Sequence, residues 1–250
     1  MSEQAGYSIA VVCEADADRR TACALCDRVL CEAVEWIDSG TIDFIRGYHG
    51  IRRQDSCLKW TSMKAMARSR HVVAHGFSRG EPREPDAAMA EQALKLLATL
   101  DPPPDAVILM RDADKLSRRR EGFEQARHAQ PWRFPVVVGV AHTKRECWIL
   151  AGYEPRDDAE RALLERERKE LGFDPRSCAE QLTASEDGAK RDAKRVLRAL
   201  TGGDQQREEA CMKEPPLAVL KQRGAATGLM NYLDEIEARL VPLFGQVAKR

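Results

Sequence analysis

The sequence has little of what would assign it to a class at once. Its 250 residues carry 40 basic and 40 acidic side chains, so the formal net charge is zero. No global basic field exists to hold a polyanion, and any nucleic-acid contact must come from a local patch. The longest apolar runs, VILM at 107–110 and VVVGVA at 136–141, fall far short of the ~20 residues a membrane helix needs. The opening residues, MSEQAGYSIAVVCEADADRR, lack the basic start and apolar stretch of a signal peptide, so a cytoplasmic location with no membrane partner is expected. There is no G-x-x-x-x-G-K-[ST], which excludes nucleotide hydrolysis through a P-loop. G-x-G-x-x-G and G-x-S-x-G are also missing. The eight cysteines suit free thiols better than a disulfide framework in a chain of this length. Cys23, Cys26 and Cys31 have no second C-x-x-C to complete a zinc sphere, and they fall within an expected helix.

What is present is an ordinary folded composition, 43% apolar and 32% charged. Three short apolar runs read as strands: SIAVVC at 8–13, AVILM at 106–110 and VVVGV at 136–140. HVVAH at 71–75 reads as a further strand, and IDFI at 42–45 as a strand or edge extension, with 46–64 irregular. Helical periodicity covers 18–37, 87–100 and 117–130, and DPPPD at 101–105 stops the second of these helices. Strands alternating with helices predict an α/β fold with a mostly parallel sheet flanked by helices. After residue 143 no β-branched run appears. Helical patterns follow at 157–171, 188–200, 204–212, 215–222 and 227–244. The division expected is an α/β domain over 1–150 and a helical appendage over 151–250.

Ligands of open α/β sheets gather at the carboxyl ends of strands. Glu14 directly follows the first strand, and Asp112 and Asp114 follow AVILM as a D-x-D pair. If the backbone stays extended, both aspartates face one cavity. Hard oxygen donors of this kind suit Mg²⁺ or Mn²⁺. A metal there clamps a phosphate, with Glu14 as a further ligand or as general acid/base. Lys115, Lys144 and Arg145 flank these strand ends and are candidate phosphate contacts, although solvent-facing basic residues are at least as common. His142 reads better as a structural histidine, and Trp148 as core. Glu146 and Trp148 lie two positions apart, which puts them on different helix faces, one polar and one packed. Lys190, Arg191, Lys194, Arg195 and Arg198 fall on one broad helix face. That stripe suits a nucleic-acid backbone, though a solvated face is the commoner explanation.

The residues V-C-E at 12–14, followed by a helix and then by I-L-M-R-D-A-D at 108–114, resemble the TOPRIM domains of topoisomerases, primases and OLD-type nucleases. The segment VGVAHTKRECWILA at 138–151 is similar to TOPRIM-like bacterial families of unknown function, some of them linked to phage defence. The resemblance covers about 1–150. It implies Glu14 as the catalytic acid, Asp112 and Asp114 as holders of Mg²⁺ or Mn²⁺, and Glu146 as a further acid of the site. It also implies cleavage of DNA or RNA, and a separate ABC- or SMC-type ATPase partner, with self-association left open. TOPRIM domains usually carry glycine after the glutamate, where this chain has Ala15. The alternative is a non-catalytic binding or regulatory subunit built on the same scaffold.

Overall fold

The computed structural model describes residues 6–72, 77–78, 81–114 and 116–245. In chain order the elements are β1 (Tyr7–Cys13), α1 (Asp16–Ala33), α2 (Ile42–Ile45), β2 (Arg46–His49), β3 (Leu58–Lys59), α3 (Met63–Ser69), β4 (Phe77–Ser78), β5 (Glu81–Pro82), α4 (Ala87–Ala98), β6 (Ala106–Asp112), α5 (Arg119–His128) and β7 (Val136–Ala141). Helices follow: α6 (Glu146–Ala151), α7 (Asp158–Leu171), α8 (Ala193–Thr201), α9 (Gln205–Lys213), α10 (Leu217–Arg223), α11 (Leu229–Arg239) and α12 (Val241–Gly245). The expected class is what is found: a five-stranded, all-parallel sheet flanked by helices, with a helical C-terminal segment.

Strand order is β2-β1-β6-β7, and β3 also pairs with β1. Residues 9–13 of β1 and 106–110 of β6 are 1% exposed or less. Such double-sided burial is why these strands read as continuous apolar runs rather than alternating ones. Several expected elements differ. Ile42–Ile45 is a single helical turn, and the strand begins at Arg46 instead. The segment expected to be irregular supplies two short strands, β2 and β3, that pair with the same side of β1. Neither carries a β-branched run, because each is too short and too exposed to need one. The strand expected at 71–75 is not seen at its start. His71 sits at φ 56°, in a turn after α3, and Val72 is in no strand; residues 73–75 lie outside the described ones.

Packing divides the chain into two units. One comprises Met1–Arg111, Leu116–Gly139 and Asp234–Arg250; the other comprises Asp112–Lys115 and Val140–Leu233. In the first, Trp60 stacks on Phe123 at 5.3 Å and donates its indole N–H to the Met110 carbonyl at 2.8 Å. Gly122 lets α5 approach so closely that a Cβ there would meet the Pro85 carbonyl oxygen at 1.9 Å. The tail returns to the first strand: the Tyr7 hydroxyl donates to the Leu243 carbonyl at 3.0 Å, and the Tyr7 and Phe244 rings lie 4.3 Å apart.

In the second unit α6 is the centre. All six of its residues are buried, so the polar face expected for Glu146 does not exist. The Trp148 indole stacks on Tyr232 at 5.0 Å and donates to the Thr227 carbonyl at 2.8 Å. Gly152 ends the helix against the Cys211 carbonyl oxygen, which a Cβ would approach to 1.8 Å.

Two glycines provide a test. Gly122→Ala should cost about 1–3 kcal/mol, since packing must open around backbone atoms. Gly47→Ala, where a Cβ meets nothing within 4 Å, should be neutral or slightly stabilising. Urea unfolding of the two variants checks the contrast; equal effects would contradict the packing described.

Candidate functional site

The acids separate by unit, and each is described within its own. In the first unit, β1 pairs with β6 so that Val12 stands opposite Leu109. Two residues further along, Glu14 and Arg111 are neighbours, and the Arg111 guanidinium lies 3.6 Å from the Glu14 carboxylate. Arg111 also pairs with Asp86 at 3.1 Å, and Asp86 takes a second cation, Arg119, at 2.6 Å. Glu14 itself is exposed. Ala15 follows it in extended backbone, at φ −141° and ψ 165°. Any residue adopts that conformation, so no glycine is required there. The Ala15 N–H is taken by the Asp18 carboxylate at 2.9 Å, which fixes the start of α1.

In the second unit, Asp112 closes β6 and accepts the Arg145 N–H through Oδ1 at 2.7 Å, ahead of α6. The expected extended D-x-D is not found. Ala113 N–H bonds the Ala141 carbonyl at 2.7 Å and Asp114 N–H bonds the Thr143 carbonyl at 3.1 Å. The chain therefore turns, and Asp114 sits at φ 48°, in the left-handed region that aspartate tolerates better than most residues. The two carboxylates thus do not follow a strand's alternation. Lys115 lies outside the described residues.

Glu146 opens α6 and is 3% exposed. Its Oε1 lies 3.3 Å from the Arg145 guanidinium. Its Oε2 is buried and has no hydrogen-bond partner among the described residues. Arg145 also reaches toward Glu208 at 3.9 Å. Lys144 donates to Asp192 at 3.1 Å, and Asp192 is 2% exposed. Asp192 further accepts the N–H groups of Gly188 at 3.1 Å and Lys194 at 3.2 Å, capping α8. His142 donates its backbone N–H to Thr227 at 2.9 Å, a structural contact.

Sequence reasoning missed Arg111, Asp86, Asp192 and Glu208. Arg111 carried a local signal, since it is the residue between the strand and the D-x-D. The others become partners only through folding. The basic stripe is also divided. Lys190 and Arg191 precede α8, Arg191 lies over the Phe173 ring at 5.6 Å, and Arg195 pairs with Glu167 at 2.9 Å. Cys23 and Cys26 are buried in α1, where burial raises both thiols, Cys26 to about 12. They are neutral core groups and not thiolate ligands.

Among the described residues, no three His, Cys, Asp or Glu side chains come together to hold a metal. What the second unit offers is narrower: buried carboxylate oxygens without a hydrogen bond among the described residues, on Glu146, Glu167 and Glu180, of which that of Glu146 lies at the helix whose start Asp112 fixes. For Mg²⁺, which takes one or two carboxylates and keeps several waters, this set supplies at most a single ligand. It does not fit a metal needing a complete protein cage. No family model matches this chain, and no curated protein or solved structure matches it.

The Lys144–Asp192 pair gives a pH test. Burial pushes Asp192 up, but the Gly188 N–H and the Lys144 ammonium outweigh it and hold the carboxyl below its ordinary value. A depressed carboxylate stabilises the fold above its unfolded pKa and loses that contribution as pH falls through the folded value. Asp192→Asn should therefore cost about 3 kcal/mol at pH 7. The gap from wild type should shrink below the usual carboxylate range, near pH 3–4. Urea titrations at pH 7 and pH 3.5 measure it, and a gap independent of pH would contradict the pairing.

Proposed function

We propose that this protein is a TOPRIM-like, Mg²⁺- or Mn²⁺-dependent phosphodiester hydrolase acting on nucleic acid, of the kind used as an effector in bacterial phage defence. The observation that carries the reading is the buried, unpartnered Oε2 of Glu146. A carboxylate oxygen removed from water without a donor is costly, and a hydrated cation is one way to satisfy it. A bound divalent ion would neutralise charge on a phosphate. In this reading Asp112 and Glu146 contribute oxygen donors, and Asp114 a water-mediated one. A separate ABC- or SMC-type ATPase would be the partner.

A second reading has its own support. Glu14, Asp86, Glu146 and Asp192 each lie against a cation of this same chain, Arg111, Arg119, Arg145 or Lys144. Acids already neutralised in this way suit a scaffold whose helices dock a partner.

Cleavage assays separate the two. Purified wild type should nick single- or double-stranded DNA or RNA with Mn²⁺ present and not with EDTA. Asp112→Asn keeps an acceptor for the Arg145 N–H, so it should fold; it and Glu146→Gln should each lower the rate by about 100-fold. Equal cleavage by all three proteins removes the hydrolase reading. Absence of cleavage by folded wild type leaves the scaffold.

A further inference from the structure

At the opposite end of β1 from Glu14 lies a cavity of about 250 Å³, lined by Ser8, Phe44, Gly47, His49 and Arg53 among others. All of these residues belong to the first unit. Ser8 pairs across the sheet with Gly47, and Ala10 with His49. Alternate residues share a face of a strand, so Ser8, Gly47 and His49 sit on one side of the β1–β2 pair. The Ser8 hydroxyl lies 2.7 Å from His49 Nε2. His49 Nδ1 lies 2.7 Å from the carbonyl oxygen of Gly50. A carbonyl only accepts, so Nδ1 carries the proton and Nε2 presents a lone pair to the hydroxyl. A nucleophile, a base and a group that orients the base thus stand in series.

We propose that Ser8 and His49 form a nucleophile–base dyad that hydrolyses a small acyl ester held in the cavity beside Gly47. Three features distinguish it from a hydroxyl merely satisfied in the core. Ser8 and His49 keep 9% and 7% of their surface, both on the cavity. The residue directly opposite Ser8 has no side chain, and a Cβ built there meets nothing within 4 Å, so the space beside the hydroxyl is open. Arg53 lines the same cavity with no hydrogen bond or ion pair among the described residues. Its guanidinium is available to the oxygen on which charge develops. Arg46, by contrast, is spent on Asp27 and Asp43 and forms a wall. Burial holds the His49 pKa below its ordinary value, which keeps the ring neutral and able to accept a proton.

The chemistry balances within the site and water. Ser8 Oγ bonds to the acyl carbon while its proton passes to His49 Nε2. The ester C–O bond then breaks, and the leaving alkoxide takes that proton. Water adds to the acyl–serine with His49 as base, releasing the carboxylic acid and restoring the hydroxyl. Phe44, 85% exposed at the cavity, supplies an apolar contact for the acyl or alcohol portion.

The test uses the full chain with p-nitrophenyl acetate and, separately, a fluorophosphonate probe read by intact mass and peptide mapping. Wild type should release p-nitrophenolate and take one adduct, on Ser8. Ser8→Ala should do neither, and His49→Gln should lower release by about 100-fold. Gly47→Leu fills the cavity at a strand position without positive φ, so it should fold with an unchanged Tm and lose release. No adduct on Ser8 in folded wild type overturns the proposal, as does equal release by Ser8→Ala. Should Ser8→Ala fail to fold, unchanged release by folded Gly47→Leu overturns it instead. None of these results depends on divalent metal, so they stand apart from the cleavage assay above.

Discussion

The structure depends on β1 being paired on both edges. It hydrogen-bonds β2 and β3 on one side and β6 on the other. Its residues 9–13 are all 1% exposed or less. A strand with no free edge and no wet face cannot shift register without breaking two ladders and exposing apolar side chains. Whatever leaves its two ends is therefore held firmly. Glu14 leaves the carboxyl end beside Arg111, and Ser8 sits near the amino end beside His49. The acyl chemistry proposed for Ser8 and His49 draws its positional accuracy from this strand.

The parts of the fold that could be read from sequence were those whose burial forces a one-dimensional pattern. SIAVVC, AVILM and VVVGVA are strands because only apolar side chains survive in a doubly covered sheet. AAMAEQALKLLATL is a helix because half of it faces the core. The short strands β2 and β3 escaped because their side chains answer to local partners. Arg46 is placed by Asp27 and Tyr48, and Lys59 is exposed. The helix at 42–45 was misread because four residues carry too little periodicity to separate one turn from a strand.

The candidate acids could be picked out in the sequence, and the cations that partner them could not. Asp112 and Glu146 stand where strand ends were expected, yet the geometry of each is decided by groups far away in sequence. The D-x-D does not stay extended because Ala113 and Asp114 give their N–H groups to Ala141 and Thr143, a pairing that only the folded β6 and β7 create. Lys144 and Arg145 look like free phosphate contacts in the sequence. Their partners lie far on in sequence, Asp192 48 residues after Lys144 at the cap of α8 and Glu208 63 residues after Arg145 in α9, and no spacing rule reveals how those helices dock.

The first unit is discontinuous along the chain, since residues 140–233 are interposed before Asp234. Tyr7, at the start of β1, takes its hydroxyl and ring partners from Leu243 and Phe244. A ribosome delivers these contacts in a fixed order. The sheet strands emerge early, but the cover for Tyr7 arrives only after the whole of the second unit has been synthesised. During that interval the nascent chain holds a completed strand order with one aromatic side chain still uncovered. A chaperone that binds exposed aromatic surface would meet its target there, and the completion of α12 would end that exposure.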